Sequence, residues 1–319
     1  MLDINTLDRR KLLQFGSAGL LGLALRGKVR AQDQSQKKGE DSGKPQKHTQ
    51  FQIACMTLPY SQYPLERALS GIKSAGYKYV AWGTTHRESG ESKPVPVMPA
   101  DAPPDKAREL GQRCRDMGLE PLMMFSIVYP EHPTGLEVLT QRIRQAQAAG
   151  MPHVLTFGHS VENRKLWVER FKKLGPIARD HGVVIVAKQH GEIGQVTGEI
   201  VREVDDAGIR VNYDAGNVMD YTKGKVNPLD DIKTCEGLIH SFCIKDHRLF
   251  PVDQDCGPGM GEIDHYRLLH NVAFTGRAMP LCCENISAPK IRPATPEEID
   301  ANARRSREFL ELVIRGLQM

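Results

Sequence analysis

Three segments in the last third of the chain, residues 209–217, 239–247 and 278–286, share one layout. Each is an apolar or β-branched run that ends in charged or hydrogen-bonding side chains. The first delivers Asp214 and Asn217, the second Lys245, Asp246 and His247, and the third Glu284. An earlier run from Val183 ends in Lys188, Gln189 and His190. Carboxylates set beside fixed cations suit proton abstraction next to a carbonyl group. The carboxylate takes the proton, and the cation holds the oxyanion that appears only as the reaction proceeds. Side chains delivered at the ends of successive strands are how a parallel barrel assembles such a site.

Alternation along a strand fixes which residues share a face. Val184, Val186, Lys188 and His190 form one set, followed by Asn212 and Asp214, then Ser241, Cys243 and Lys245, then Cys282 and Glu284. The opposite set, Ile185, Ala187, Val211, Tyr213, Phe242 and Ile244, suits packing beneath helices. Lys188, His190, Asp214, Lys245 and Glu284 therefore converge on one mouth. Opposite charges crowded there shift pKa values and mark functional sites.

The elements that must position these residues repeat eight times. Strand-like runs begin near Phe51, Tyr77, Leu119, His153, Val183, Ile209, Ile239 and Ala278. Helical patterns lie between them at 65–75, 105–117, 136–149, 165–180, 196–207 and 265–272, and a last helix spans 296–317. Thr295 followed by Glu298 has the spacing of a capping box. Gly76, Gly118, Gly150, Gly182 and Gly208 each stand between a helix and a strand, where a left-handed cap is expected. Eight βα units read as a single-domain α/β fold, a closed (β/α)₈ TIM barrel over 50–319. The competing fold is an open doubly wound sheet, but no GxGxxG motif opens a helix after the first strand and the count of eight favours closure; no nucleotide cofactor is expected.

Ahead of the barrel, Arg9-Arg10 precede a short apolar stretch at 15–25 and a small residue at Ala31. This resembles a twin-arginine signal peptide over 1–31, read by the export machinery, with a periplasmic or other extracytoplasmic destination. Eleven residues with three glycines make a poor membrane span, so no membrane integration of the mature form is expected. Residues 32–49 are polar and low in apolar content, as in a disordered linker. The formal charge of +4 resides in the leader, because residues 32–319 carry 37 basic and 37 acidic side chains. A neutral mature chain gives no electrostatic reason to bind nucleic acid. Seven cysteines without CxxC spacing argue against a disulfide scaffold and for buried thiols.

The polar strand ends, with the loop Gly257-Pro258-Gly259-Met260-Gly261, resemble the xylose isomerase-like TIM-barrel superfamily of sugar phosphate isomerases and epimerases. The matching residues are Lys188-Gln189-His190, Asp214-Ala215-Gly216-Asn217, Cys243-Ile244-Lys245-Asp246 and Glu284. The resemblance implies a divalent metal (Mn, Mg, Zn or Co) at the mouth, with Asp214 and Glu284 at ligand positions and His190 as a substitute third ligand. Lys188 and Cys243 stand where the family places a ligand, and a protonated lysine cannot coordinate. The alternative is that Lys188 fills the metal's place, paired with Asp214 and Glu284.

The expected activity is that of an exported sugar isomerase or epimerase acting on a carbohydrate or keto-sugar. Glu284, Lys188, His190 and Lys245 are the expected catalytic groups. Trp82, His86, Asn217, Asp246 and Glu262 are the expected contacts to a small sugar. A lyase or dehydratase on the same scaffold, or a sugar-binding barrel without turnover, are the alternatives. His153 and His265 read as structural or solvent-exposed, and His247 as a loop residue.

Overall fold

Residues 47–289, 293 and 295–319 are described by a computed structural model. The expected leader, and the linker as far as residue 46, lie outside the described residues. The β-branched and aromatic runs form eight parallel strands: β1 Gln50–Met56, β2 Tyr79–Trp82, β3 Glu120–Phe125, β4 His153–Thr156, β5 Val184–Lys188, β6 Ile209–Tyr213, β7 Ile239–Ile244 and β8 Ala278–Cys283. They pair in sequence order, and β1 pairs with β8 to close the barrel. Every strand expected from the sequence is present.

The helices are α1 Leu65–Ser74, α2 Pro104–Asp116, α3 Gly135–Ala149, α4 Ser160–Asp180, α5 Gly194–Val204, α6 Ala215–Thr222, α7 Pro228–Asp231, α8 His265–His270 and α9 Pro296–Leu317. In α1, Ala68, Leu69 and Ile72 are buried, the i, i+1, i+4 spacing of a helix laid on a sheet. The Thr295–Glu298 capping box starts α9 as expected. That helix closes the ring against α1, with Asp300 accepting from Arg67 at 2.7 Å and from Tyr60 at 2.9 Å. Among the described residues no helix is long and apolar enough to cross a membrane.

Strand parity divides the core in two. Ile185, Ala187, Val211, Tyr213, Phe242 and Ile244 pack in the layer under the helices. Ala54, Met56, Val186, Cys243 and Cys282 fill the barrel interior. All seven cysteines are buried and free. A register irregularity between β6 and β7 is met by Asn212, whose Oδ1 accepts from the Cys243 N–H at 3.1 Å.

Several expectations needed correction. Gly76, Gly118, Gly150 and Gly182 have positive φ, but Gly208 does not. The left-handed cap of α5 falls on Asp205, at φ 52. Gly208 is there for space, because a Cβ would run into the Gly175 carbonyl oxygen. Thr49, placed in the linker, is buried and its N–H donates to the Ala273 carbonyl at 2.8 Å. Two short hairpins, Thr85–His86 with Val95–Pro96 and Asp246–Arg248 with Gln254–Cys256, add to the barrel after β2 and β7.

Candidate active site at the barrel mouth

Lys188 ends β5, and Asp214, Lys245 and Glu284 each follow the last residue of β6, β7 and β8. All four face the axis at the C-terminal mouth. Lys188 Nζ donates to Glu284 Oε1 at 3.0 Å and Oε2 at 2.8 Å, and lies 3.4 Å from Asp214 Oδ2. Lys245 Nζ approaches the same Asp214 oxygen at 3.4 Å, donates to Asn217 Oδ1 at 2.6 Å and pairs with Asp255 at 3.2 Å. Both ammoniums are within ion-pair reach of Asp214 Oδ2, yet neither is aligned to hydrogen-bond it, so that buried oxygen has no donor. The rings of Phe125 and Phe157 lie 5.5 Å from Lys188 Nζ and form an aromatic wall suited to a cation.

Local sequence explains why the cluster holds its shape. Asp214 caps α6, its Oδ1 accepting from the Asn217 N–H at 3.0 Å. Asn217 Nδ2 donates to the Gln189 carbonyl, and Gln189 Nε2 donates to the Asp214 carbonyl, both at 2.8 Å. These reciprocal bonds tie the end of β5 to the end of β6. Gly216 lets the stem of Lys245 pass, because a Cβ there would stand 2.7 Å from Lys245 Cγ and Cε.

The electrostatics follow from that crowding. Burial works to raise the Glu284 carboxyl, but Lys188 and Lys245 overcome it and hold it down to about 2. Asp214 moves up, because its complete burial outweighs the pull of Lys245 and Lys188. Burial opposes charge on both lysines, yet Glu284 and Asp214 raise Lys188, and those two with Asp255 raise Lys245. Both therefore remain ammoniums at neutral pH. Burial, then Lys188 and Lys245, push His190 down to about 4, so its imidazole is neutral.

Four of the expected residues meet in this cluster as Lys188, Asp214, Lys245 and Glu284, and Asn217 supports it. His190 is nearby but turned to the rim. It is paired through Nε2 with the Tyr221 hydroxyl at 2.8 Å and packed on Phe157 at 4.8 Å between centroids. It does not complete a ligand set with Asp214 and Glu284. Trp82 faces the other way, buried in the layer under the helices with its Nε1 unpartnered, so it offers the mouth no platform. His86 is buried in the hairpin after β2, its Nδ1 on the Tyr63 carbonyl at 2.8 Å. Asp246 is engaged within the chain. Its carboxylate accepts from the N–H groups of His247, Gly259 and Ile263 and so shapes the glycine loop. Glu262 braces the Leu249 and Phe250 N–H groups at 2.8 and 3.2 Å.

Sequence reasoning missed Asp255 and Glu192, and read as a loop residue His247, which lies in the strand Asp246–Arg248. His247 is fully buried, with Nδ1 on Asp255 at 2.9 Å and Nε2 on Asp253 at 3.0 Å. The alternation of Asp253 and Asp255 was the available signal, but no turn motif showed that a hairpin would bring them back to His247. Glu192 joins Ser160 and Thr197, and burial pushes it up to about 7. Ligand atoms of Asp220, His247 and Asp253 lie within 4.8 Å of one another, the group of metal-ligating type found among the described residues. Lys223 already pairs with Asp220 at 2.9 Å and with Asp253 at 3.2 Å.

Residues 69–312 match the family described as xylose isomerase-like TIM barrels. Among curated proteins none matches the chain. Solved structures share the fold at low identity. An L-ribulose 3-epimerase superposes with TM-score 0.61 and 17% identity, covering 83% of this chain and 95% of that one. A xylose isomerase-like TIM barrel protein from Mycobacterium smegmatis, in complex with magnesium, gives 0.62 and 16%, covering 83% and 97%. A probable 3-DHS dehydratase from Bacillus anthracis gives 0.58 and 12%, covering 82% and 98%.

Proposed function

This chain belongs to the xylose isomerase-like TIM barrel family, and from that premise we propose that it is a sugar-modifying enzyme of the isomerase or epimerase class. The observation that carries the reading is the mouth cluster, with Glu284 bound to the Lys188 ammonium and a second ammonium, Lys245, reaching the neighbouring Asp214. Glu284 is the carboxylate open to a ligand, since its side chain is 15% exposed while that of Asp214 is wholly buried.

A carboxylate held down to about 2 is a weak base while Lys188 is bound to it. A substrate carbonyl oxygen that accepts from Lys188 weakens that ion pair and raises the basicity of Glu284 at the moment it is needed. Glu284 then takes the proton alpha to the carbonyl. Lys188 and Lys245 stabilise the enediolate oxygens, whose charge is greatest in the transition state. Asp214, beneath them, orients both ammoniums. His190 and Tyr221 stand at the rim, where a neutral imidazole paired with a hydroxyl can relay a proton to the opposite face of the substrate. The rings of Phe157, Tyr129 and His190 form a continuous wall that fits the C–H face of a sugar.

The resemblance and the magnesium-bound neighbour raise a divalent metal for this chain, and the mouth does not fit one. Lys188 lies between the two carboxylates, His190 is engaged with Tyr221, and burial keeps the Cys243 thiol well above its ordinary value and hence neutral.

The test is hydrogen exchange in deuterated water with a panel of ketoses, aldoses and keto-acids. Solvent deuterium at the carbon alpha to the carbonyl, lost in Glu284→Gln, supports the reading. Loss of water from the substrate indicates elimination, the second reading kept open by the dehydratase likeness. Wild-type exchange in Glu284→Gln would refute the role of this site.

A further inference from the structure

Taking the mouth to be the reactive site, as proposed above, we propose that the Lys188 ammonium is this protein's built-in replacement for a divalent cation. It is a fixed electrophile on β5 that lets the reaction run without metal. Lys188 Nζ is hydrogen-bonded to both oxygens of Glu284 and lies 3.4 Å from Asp214. That is the position between two carboxylates that an oxygen-seeking cation would take.

Three features keep a metal out. Oxygen ligands approach magnesium or manganese at about 2.1 Å, so a cation between Asp214 and Glu284 requires the ammonium to withdraw. Lys188 has nowhere to go, being 2% exposed and walled by Phe125 and Phe157 at 5.5 Å. The remaining donors do not serve: Cys243 offers a buried thiol, a poor ligand for magnesium or manganese, and His190 is bonded to Tyr221. Finally, charge is already nearly balanced. Lys188 and Lys245 face Asp214, Glu284 and Asp255, leaving a surplus of one negative charge, short of the two that would balance a dication.

The replacement changes the chemistry in a definite way. A metal binds two substrate oxygens within one coordination sphere. An ammonium instead donates directional hydrogen bonds and carries a single charge. Lys245, bonded to Asn217 and paired with Asp255, supplies the second donor that one ammonium lacks. The enediolate is thus held by two lysines at separate points.

Metal binding itself provides the test, so the result does not depend on which substrate is turned over. Protein purified without chelators is analysed for bound metal and melted with EDTA or with added Mn²⁺, Mg²⁺ or Zn²⁺. The expected result is substoichiometric metal and an unchanged melting temperature in every case. The double substitution Lys188→Glu with Cys243→His adds a carboxylate and an imidazole to Asp214 and Glu284. It should gain a site, seen as a melting temperature that rises by several degrees with Mn²⁺ or Zn²⁺. If that variant does not fold, Lys188→Gln serves: removing the ammonium should tighten Mn²⁺ binding at least about tenfold over wild type. One equivalent of metal in the wild type, lost in Asp214→Ala, would overturn the proposal. Metal retained in Asp214→Ala but lost in Asp253→Ala lies at the hairpin cluster and upholds the mouth as described.

Discussion

At the scale of single residues, the site depends on a balance between two buried cations and the carboxylates they face. Asp214→Asn and Glu284→Gln keep shape and remove charge. Each should leave the fold intact and lower turnover by about 10² or more, the scale of a lost base or charge stabiliser. Turnover on the substrate found by deuterium exchange, with far-ultraviolet circular dichroism as the check on folding, measures this. Lys188→Met acts differently. It removes the hydrogen-bonded partner of Glu284 and leaves Asp214 with Lys245 alone, and should cost roughly 3–5 kcal/mol of stability, read by urea unfolding. A loss below about 1 kcal/mol would mean the pair is solvated like a surface ion pair. The inward positions of Lys188, Asp214, Lys245 and Glu284 were legible in the sequence, since strand alternation alone separates them from Ile185, Tyr213, Phe242 and Ile244. The outward turn of Trp82 obeys the same rule: it shares its face with Val80, which also packs under the helices. Aromatic character at a strand end was there a weaker guide than parity.

At the scale of elements, what the sequence hid is mostly what loops do after the strands end. The hairpin Asp246–Arg248 with Gln254–Cys256 has no Asn-Gly or Asp-Gly turn to announce it, yet it carries Asp255 to Lys245 and wraps His247 between two aspartates. Burial works against charge on His247, but Asp255, Asp220 and Asp253 raise its pKa above the ordinary value. A histidine raised on folding adds stability below its ordinary value of about 6.5, and that stability fades as pH climbs through the raised value. The stability gap between wild type and His247→Gln should therefore shrink between about pH 6 and pH 9, as thermal melts can show. A gap constant across that range would mean the imidazole is neutral throughout. Helix ends offer a second comparison. Gly182 has φ +65 with open space around it, so Gly182→Ala should cost only about 1 kcal/mol. Gly208→Ala pushes a methyl group into the Gly175 backbone and should cost about 1–3 kcal/mol. Equal losses in chemical denaturation would contradict the separate roles of these two glycines.

At the scale of the whole molecule, the repeat of eight strands with glycine-capped helices made the closed barrel readable before any coordinate. The leader is a separate matter, and the twin-arginine reading is tested in cells. Arg9→Lys with Arg10→Lys should hold precursor in the cytoplasm, while a chain starting near Gln32 should fold unaided. Normal export of the double-lysine form would remove that reading. The ring also settles how the protein can be handled. Parallel strands put every reactive side chain at one end of the barrel, while β1 starts at the other. Gln318, at the close of α9, lines the same cavity as Phe51 near the start of β1. Both ends of the folded barrel thus emerge on the side opposite the mouth. An affinity tag, a bead linker or a surface tether joined beyond α9 leaves the reactive face open to solution.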